Sequence, residues 1–439
     1  MCQQDAQPRD SVTTTTTTTA AHHDNAAAAA ADNTPFPWRI PVCDAHCHPT
    51  DTMASFDHFP AMHAAALTVM ATRAQDQDLV ADVATHYPVP DQNTFSLQQT
   101  TESPSNPPFV VPAFGWHPWF SHLLYDDEAP EPTYRPVSAT TSASASASGP
   151  EPGPGPGPSS EDAAKAVHYS SVLTPSPSPS FLASLPPPVP ISSFISSTQA
   201  RLLAHPHALV GEIGLDKAFR LPQAWDPSAK NGRDDGRTPG GREGRTLSPH
   251  RVSMEHQRVV LAAQLKLAAR TRRAVSVHGV QAHGILYDTL EATWKGHEKE
   301  VISRRKRRLV AEGAEDFSSD SEDDSGEPKP YPPRICLHSF SAGVAVLKQY
   351  LHRAVPAKIF ISLSSAVNLS TEATRTKTDE VLRAMPDNRI IVESDLHTAG
   401  ASMDEALEEM YRRVCTIKGW PLEEGVARIA KNYEEFIYG

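Results

Sequence analysis

A single (β/α)8 TIM barrel, interrupted by long disordered inserts, is the fold that this sequence predicts, on three observations. Eight short apolar runs recur along the chain, nearly all followed by a helix-like stretch, which calls for parallel strands joined by crossovers. With a low-complexity tail and three biased segments set aside, about 275 residues remain, near the usual size of such a barrel. The residues able to do chemistry fall at the ends of the apolar runs, where the active face of a barrel lies. A doubly wound open sheet is the competing architecture, and it accounts less well for that placement.

The elements follow in order. Residues 1–37 hold a threonine run, an alanine run and His22-His23, and read as a disordered tail; residues 38–439 read as one barrel domain. Ile40 and Val42 lead into the first strand, Pro41-Val-Cys-Asp-Ala-His-Cys-His48. Alternation along that strand puts Asp44, His46 and His48 on one face and Cys43, Ala45 and Cys47 on the other. Leu67–Thr72 is the second strand, with a helix over 76–86, and Phe109–Gly115 is the third, running into Trp116-His-Pro-Trp119. A Pro/Ser/Ala/Gly-rich stretch at about 127–190 lacks the apolar residues to offset its ordering entropy, so disorder is expected.

A helix over 192–205 leads to the fourth strand, Ala208–Gly214, followed by a polar insert at 221–249. The next helix, 252–269, shows Val252, Val259, Ala263 and Leu267 on one face and feeds the fifth strand, Ala274–His278. A helix near 285–294 precedes a third insert, 299–332, in which the basic Arg304–Arg308 adjoins the acidic, serine-containing Ser318–Ser325. Strand six is Arg334–His338, strand seven Lys358–Leu363 and strand eight Arg389–Asp395, with helices at 342–353, 375–385, 402–418 and 422–436.

Composition narrows the function. A formal charge of −12 over 439 residues leaves no broad basic surface to hold a polyanion, so bound cations must supply positive charge locally. Five cysteines without a pairing pattern suggest a reducing compartment. No apolar run approaches the roughly 18–20 residues of a membrane span. Neither a phosphate-binding glycine loop nor a dinucleotide turn follows any strand. The expectation is a soluble protein of the cytoplasm or nucleus, with Arg304–Arg308 a candidate import signal that phosphorylation of the adjacent serines would mask.

The strand ends carry the chemistry. Strand one gives His46 and His48, strand four Glu212, strand five His278, strand six His338 and strand eight Asp395. Four imidazoles and two carboxylates make a nitrogen–oxygen donor set suited to zinc, manganese or a similar divalent ion. Six ligands exceed what one tetrahedral ion with an open position needs and suffice for two ions sharing a carboxylate. Such a pair acidifies a bridging water and clamps both oxygens of an in-line displacement, with Asp395 as proton acceptor. Asp44 is placed to orient one imidazole.

With those residues in view, the chain resembles the TatD-related metal-dependent deoxyribonucleases, an amidohydrolase-like barrel family. The matching motifs are Asp44-Ala-His-Cys-His48, Gly115-Trp-His-Pro-Trp119, Gly211-Glu-Ile-Gly-Leu-Asp216, the glutamine-bearing stretch Gln257–Ala268, His338-Ser-Phe-Ser-Ala-Gly343 and Glu393-Ser-Asp395. The resemblance implies that His46, His48 and Asp395 hold one ion, His278 and His338 a second, and that Glu212 bridges them; the ions would be Mg²⁺, Mn²⁺ or Zn²⁺. It also implies catalytic roles for Asp395 and Glu212, a substrate contact or a structural role at His117, outer positions for Asp44, Asp216 and Glu393, and DNA as substrate.

Two departures bear on activity. Val280 stands where family members often carry an arginine, and the loop after Asp395 is shortened to Thr398–Ser402. These departures and the inserts look similar to a fungal subgroup described as interactors of an anaphase-promoting-complex subunit. A scaffold that binds such a cell-cycle partner, and a small-molecule amidohydrolase, are therefore the alternatives to a nuclease.

Overall fold

The computed structural model describes residues 34–51, 53–90, 107–136, 159–223, 246–301 and 329–439. Its core strands are β1 (Cys43–Cys47), β2 (Ala66–Met70), β3 (Phe109–Ala113), β4 (Val210–Asp216), β5 (Val275–Val280), β6 (Arg334–Leu337), β7 (Lys358–Leu363) and β8 (Ile390–Val392). These are the eight runs the sequence predicts. Each is buried along most of its length because helices cover parallel sheets, so the strands read as continuous apolar runs.

All the neighbouring pairs are parallel. β1, β2 and β3 form one sheet, and β4, β5, β6, β7 and β8 lie side by side in that order in a second. Two seams join the sheets. At the β3–β4 seam, Leu209 N donates to Pro112 O at 3.0 Å and Phe114 N to Leu209 O at 3.0 Å. At the other, Asp395 N donates to His46 O at 3.0 Å and His48 N to Leu396 O at 2.8 Å. The eight strands therefore close into a barrel, and the second seam lies at the His46–His48 pair itself.

The last helix, Leu422–Tyr438, packs against the strands. Val426, Ile429, Tyr433, Phe436 and Ile437 recur at helical spacing and are buried. Three of them join Cys43, Ala45, Val111, Phe360 and Ile391 in one apolar cluster. Cys43 and Cys47 are buried free thiols.

The helix Met254–Thr271 departs from its predicted face. Of the predicted face, Val252 and Leu267 are buried, whereas Val259 and Ala263 are only partly buried; the other buried residues include Gln257, Val260, Leu261, Gln264, Leu265 and Ala268. Two glutamines interrupt the apolar stripe, which hides its true phase. Both work as backbone clamps: Gln257 accepts from Asp216 N and donates to Asp216 O, and Gln264 does the same for Trp116.

The stretch expected to be disordered at 127–190 differs more. Residues 159–190 carry the helices Ser160–Val172 and Pro179–Ala183. Tyr169, Val172, Leu173 and Phe181 bury against Phe219 and Leu221, which follow β4, and Val252, which precedes the helix Met254–Thr271. Residues 137–158 of that insert, most of the inserts at 221–249 and 299–332, including Arg304–Arg308, and His22-His23 lie outside the described residues. No described helix is long and apolar enough to cross a membrane.

The ordered insert is fastened by buried histidines. His168 Nε2 donates to His122 O at 2.9 Å, and its Nδ1 accepts from Thr133 Oγ1 at 2.8 Å, so the neutral ring satisfies both contacts. His256 Nε2 donates to Ser121 O at 2.9 Å, and His122 Nδ1 has no hydrogen-bond partner. Burial pushes His122 down to about 3 and His168 to about 4. The folded chain thus binds fewer protons than the unfolded chain below about pH 6.5. The stabilisation is full above that value and is lost as pH falls toward these depressed values. At pH 5 each histidine should cost about 2 kcal/mol relative to neutral pH. Denaturation midpoints at pH 7.5 and 5.0 check this, and His168→Gln, which can keep both hydrogen bonds, should show a smaller loss between the two. An equal loss in the variant would contradict the assignment.

Candidate metal centre

The predicted site residues meet at one end of the barrel, and Glu212 is their hub. Glu212 lies on β4 and is 2% exposed. Oε1 lies 2.8 Å from His278 Nδ1, 2.7 Å from His338 Nε2 and 3.0 Å from His117 Nε2. Oε2 lies 3.5 Å from His46 Nε2 and 3.4 Å from His48 Nε2. Oε1 therefore faces three imidazoles and Oε2 a different two. Asp395 Oδ1 stands on the second side, 3.9 Å from His46 Nε2 and 3.8 Å from His48 Nε2. The rings of His46 and His338 stack at 3.9 Å, so the two halves touch.

These donors fit divalent ions. Two nitrogens on one tetrahedral zinc-sized ion sit roughly 3.3 Å apart. His46 Nε2 and His48 Nε2 are separated by 3.1 Å, and His278 Nδ1 and His338 Nε2 by 3.0 Å. Several outer ring nitrogens are engaged elsewhere, as ligand imidazoles usually are. His46 Nδ1 meets Ser276 Oγ at 2.9 Å, and His278 Nε2 meets Asp216 Oδ2 at 3.2 Å. His338 Nδ1 faces Glu393 Oε1 at 3.6 Å. Three triads have donor atoms within 4.8 Å of one another: His46-His48-Glu212, His117-Glu212-His278 and His46-His338-Glu393.

Electrostatics keep the carboxylate ionised. Burial alone would raise Glu212, but its interactions with His117, His338 and His46, among them the hydrogen bond from His117, outweigh it and hold the group well below the carboxylate range. Burial lowers His46, and it takes His48 and His117 to about 4, so these rings stay neutral. His338 behaves oppositely: burial lowers it, yet Glu212 and Glu393 raise it well above an ordinary imidazole.

The outer residues sit as follows. Asp44 is fully buried, but it holds backbone rather than a ring: Oδ1 accepts from His46 N and Ser394 N, each at 3.0 Å, and Oδ2 from Ser394 Oγ. The carboxylate ties β1 to the chain after β8, and Ser276 takes the ring contact expected of Asp44. Glu393 accepts from Ser339 N and Ser339 Oγ at 2.6 Å and from Ser362 Oγ. Asp216 accepts from Trp119 Nε1 at 2.6 Å. His117 is 2% exposed. Both its nitrogens have partners within the protein, Nε2 on Glu212 and Nδ1 on Trp119 N at 3.2 Å.

Sequence reasoning missed Trp119, Ser276, Ser394 and the pair Asp51–His397. His397 Nδ1 lies 2.8 Å from Asp51 Oδ2, and its ring sits 5.4 Å from that of His48. Trp119 stacks on Phe219 at 4.5 Å and so links the ordered insert to Asp216 and His278. Ser276 was within reach of alternation, being two residues before His278 on the same face of β5.

The family model described as TatD related DNase matches residues 43–438. Cut9-interacting protein scn1 of Schizosaccharomyces pombe is 34% identical over 398 residues, covering 90% of this chain and 98% of that protein. An uncharacterized deoxyribonuclease of Saccharomyces cerevisiae is 24% identical over 340 residues, covering 75% of this chain and 82% of that one. Among solved structures, a TatD homologue from Escherichia coli is 16% identical, covers 91% of this chain and 99% of its own, and superposes with a TM-score of 0.45.

Proposed function

The chain belongs to the TatD-related DNase family, and from that premise we propose that it is a phosphodiesterase using two divalent ions, with DNA as substrate. The observation that carries this reading is the division of Glu212 between two histidine pairs, Oε2 toward His46 and His48 and Oε1 toward His278 and His338. His46, His48 and Asp395 would hold one ion, His278 and His338 the other, and Glu212 would serve both. Ions held there supply Lewis acidity toward a phosphoryl oxygen and acidify a water.

The chain's own residues do the rest. Asp395, raised by burial and by Glu393 nearby, takes the proton of the attacking water. Asp216, Ser276 and Glu393 fix the faces of His278, His46 and His338, and His117 steadies Glu212. Full-length protein supplied with Mg²⁺, Mn²⁺ or Zn²⁺ should shorten single- or double-stranded DNA, and the His46→Ala/His48→Ala double change should abolish cleavage. Equal activity in the double variant would sink the assignment.

A second reading, binding of a protein partner with the metal centre serving the fold, is favoured by the 34% identical relative named for its interaction with Cut9. It gains if the purified chain carries metal, cleaves no phosphodiester and captures the corresponding partner.

A further inference from the structure

Glu212 Oε1 faces His117, His278 and His338, and two of these three rings lean on one tryptophan. Trp119 lies two residues after His117, in the 3-10 turn Pro118–Leu123. Its indole stands roughly perpendicular to both rings, with centroids 4.5 Å from His117 and 6.0 Å from His278. It also bonds toward each. Trp119 N donates to His117 Nδ1 at 3.2 Å, so the neutral ring carries its hydrogen on Nε2, which donates to Glu212 Oε1 at 3.0 Å. Trp119 Nε1 donates to Asp216 Oδ2 at 2.6 Å, and His278 Nε2 meets that same oxygen at 3.2 Å.

Asp216 is built to accept. Its Oδ1 takes Ala218 N at 2.7 Å and Phe219 N at 2.9 Å, and its Oδ2 takes the indole. An ionised carboxylate has no hydrogen to give. The neutral His278 ring therefore carries its hydrogen on Nε2 and keeps its lone pair on Nδ1. That nitrogen lies 2.8 Å from Glu212 Oε1 and 3.0 Å from His338 Nε2, where an ion shared by these residues needs a donor. The indole in turn has an apolar anchor. It stacks on Phe219 with centroids 4.5 Å apart and packs against the cluster that Tyr169 and Phe181 of the ordered insert form with Phe219.

We propose that Trp119 is a positioning residue of the ion site at His278 and His338. Its indole N–H, anchored on the apolar cluster of the insert, holds Asp216 so that His278 turns Nδ1 to the ion. The proposal rests on the two-ion reading given above.

Stepwise Co²⁺ titration of the metal-stripped full-length chain tests this, read by visible absorption and by ions bound per chain. Trp119→Phe keeps a ring to stack on Phe219, keeps the backbone N–H toward His117 and loses the indole donor. It should weaken one of the two ions about 10-fold and alter the absorption of that equivalent, with the other ion as in the wild type. On top of Asp216→Asn the same substitution should add less than about threefold, since both act through one oxygen; full additivity overturns the proposal. An indole that only packs would instead lower the melting temperature and leave both affinities and both spectra unchanged, and that result overturns the proposal alone. Should Trp119→Phe fail to fold, Phe219→Leu takes its place, removing the stacking partner and leaving the indole. It should weaken the same ion, and two unchanged affinities overturn the proposal equally. A wild-type chain that binds fewer than two Co²⁺ overturns the two-ion reading, and this proposal with it.

Discussion

Glu212→Gln is expected to lower DNA cleavage by about a thousandfold or more and to leave fewer than two ions on the protein. The change keeps the size of the side chain and removes its charge. The Glu212 oxygens meet five imidazole nitrogens between 2.7 and 3.5 Å, and an amide offers those neighbours one oxygen and one N–H face. The N–H face cannot ligate an ion, so one histidine pair loses its shared oxygen whichever way the amide turns. Burial makes the loss severe, because no solvent stands by to replace the charge. Elemental analysis beside a cleavage assay checks both effects. Activity within threefold of the wild type would remove Glu212 from the centre.

The largest effect on stability is expected from Gly214→Ala. Gly214 sits in β4 at φ +150, and an added Cβ would collide with the carbonyl oxygen of His278 and lie 2.8 Å from its Cβ. The two residues are register partners across the β4–β5 pair. Relief requires the strands to part, which should cost about 3 kcal/mol or more and displace His278 from Glu212. Gly343→Ala is the control. Nothing lies within 4 Å of a Cβ built there, and an N-cap glycine exchanged for alanine should cost under about 1 kcal/mol. Thermal melting of both variants checks the difference. A Gly214→Ala protein that melts with the wild type would mean that the close β4–β5 approach is not maintained in solution.

The barrel and the residues of the cluster were legible because their signals are local. Each strand is a short apolar run, and each polar residue of the cluster lies in or just after one, so His46, Glu212 and His278 are found by reading forward. Residues that act across the sequence were not. Ser394 meets Asp44 from 350 residues away, and no local pattern announces that pair. The helix Ser160–Val172 was obscured by the Pro- and Ser-rich sequence around it. Its apolar residues Tyr169 and Val172 have their partners at Phe219, Leu221 and Val252. The face of Met254–Thr271 was misread for a related reason: Gln257 and Gln264 are buried for the backbone groups they bind, and hydropathy counts them as solvent-facing.

The central claim is that the cluster around Glu212 is a two-ion centre. Its most direct test is an equilibrium titration of the full-length chain, stripped by chelation, with Mn²⁺ or Zn²⁺, read as ions bound per chain. Saturable binding of two ions, falling to one or none in His46→Ala/His48→Ala, is the predicted result. No saturable binding, or the same stoichiometry in the double variant, would contradict it.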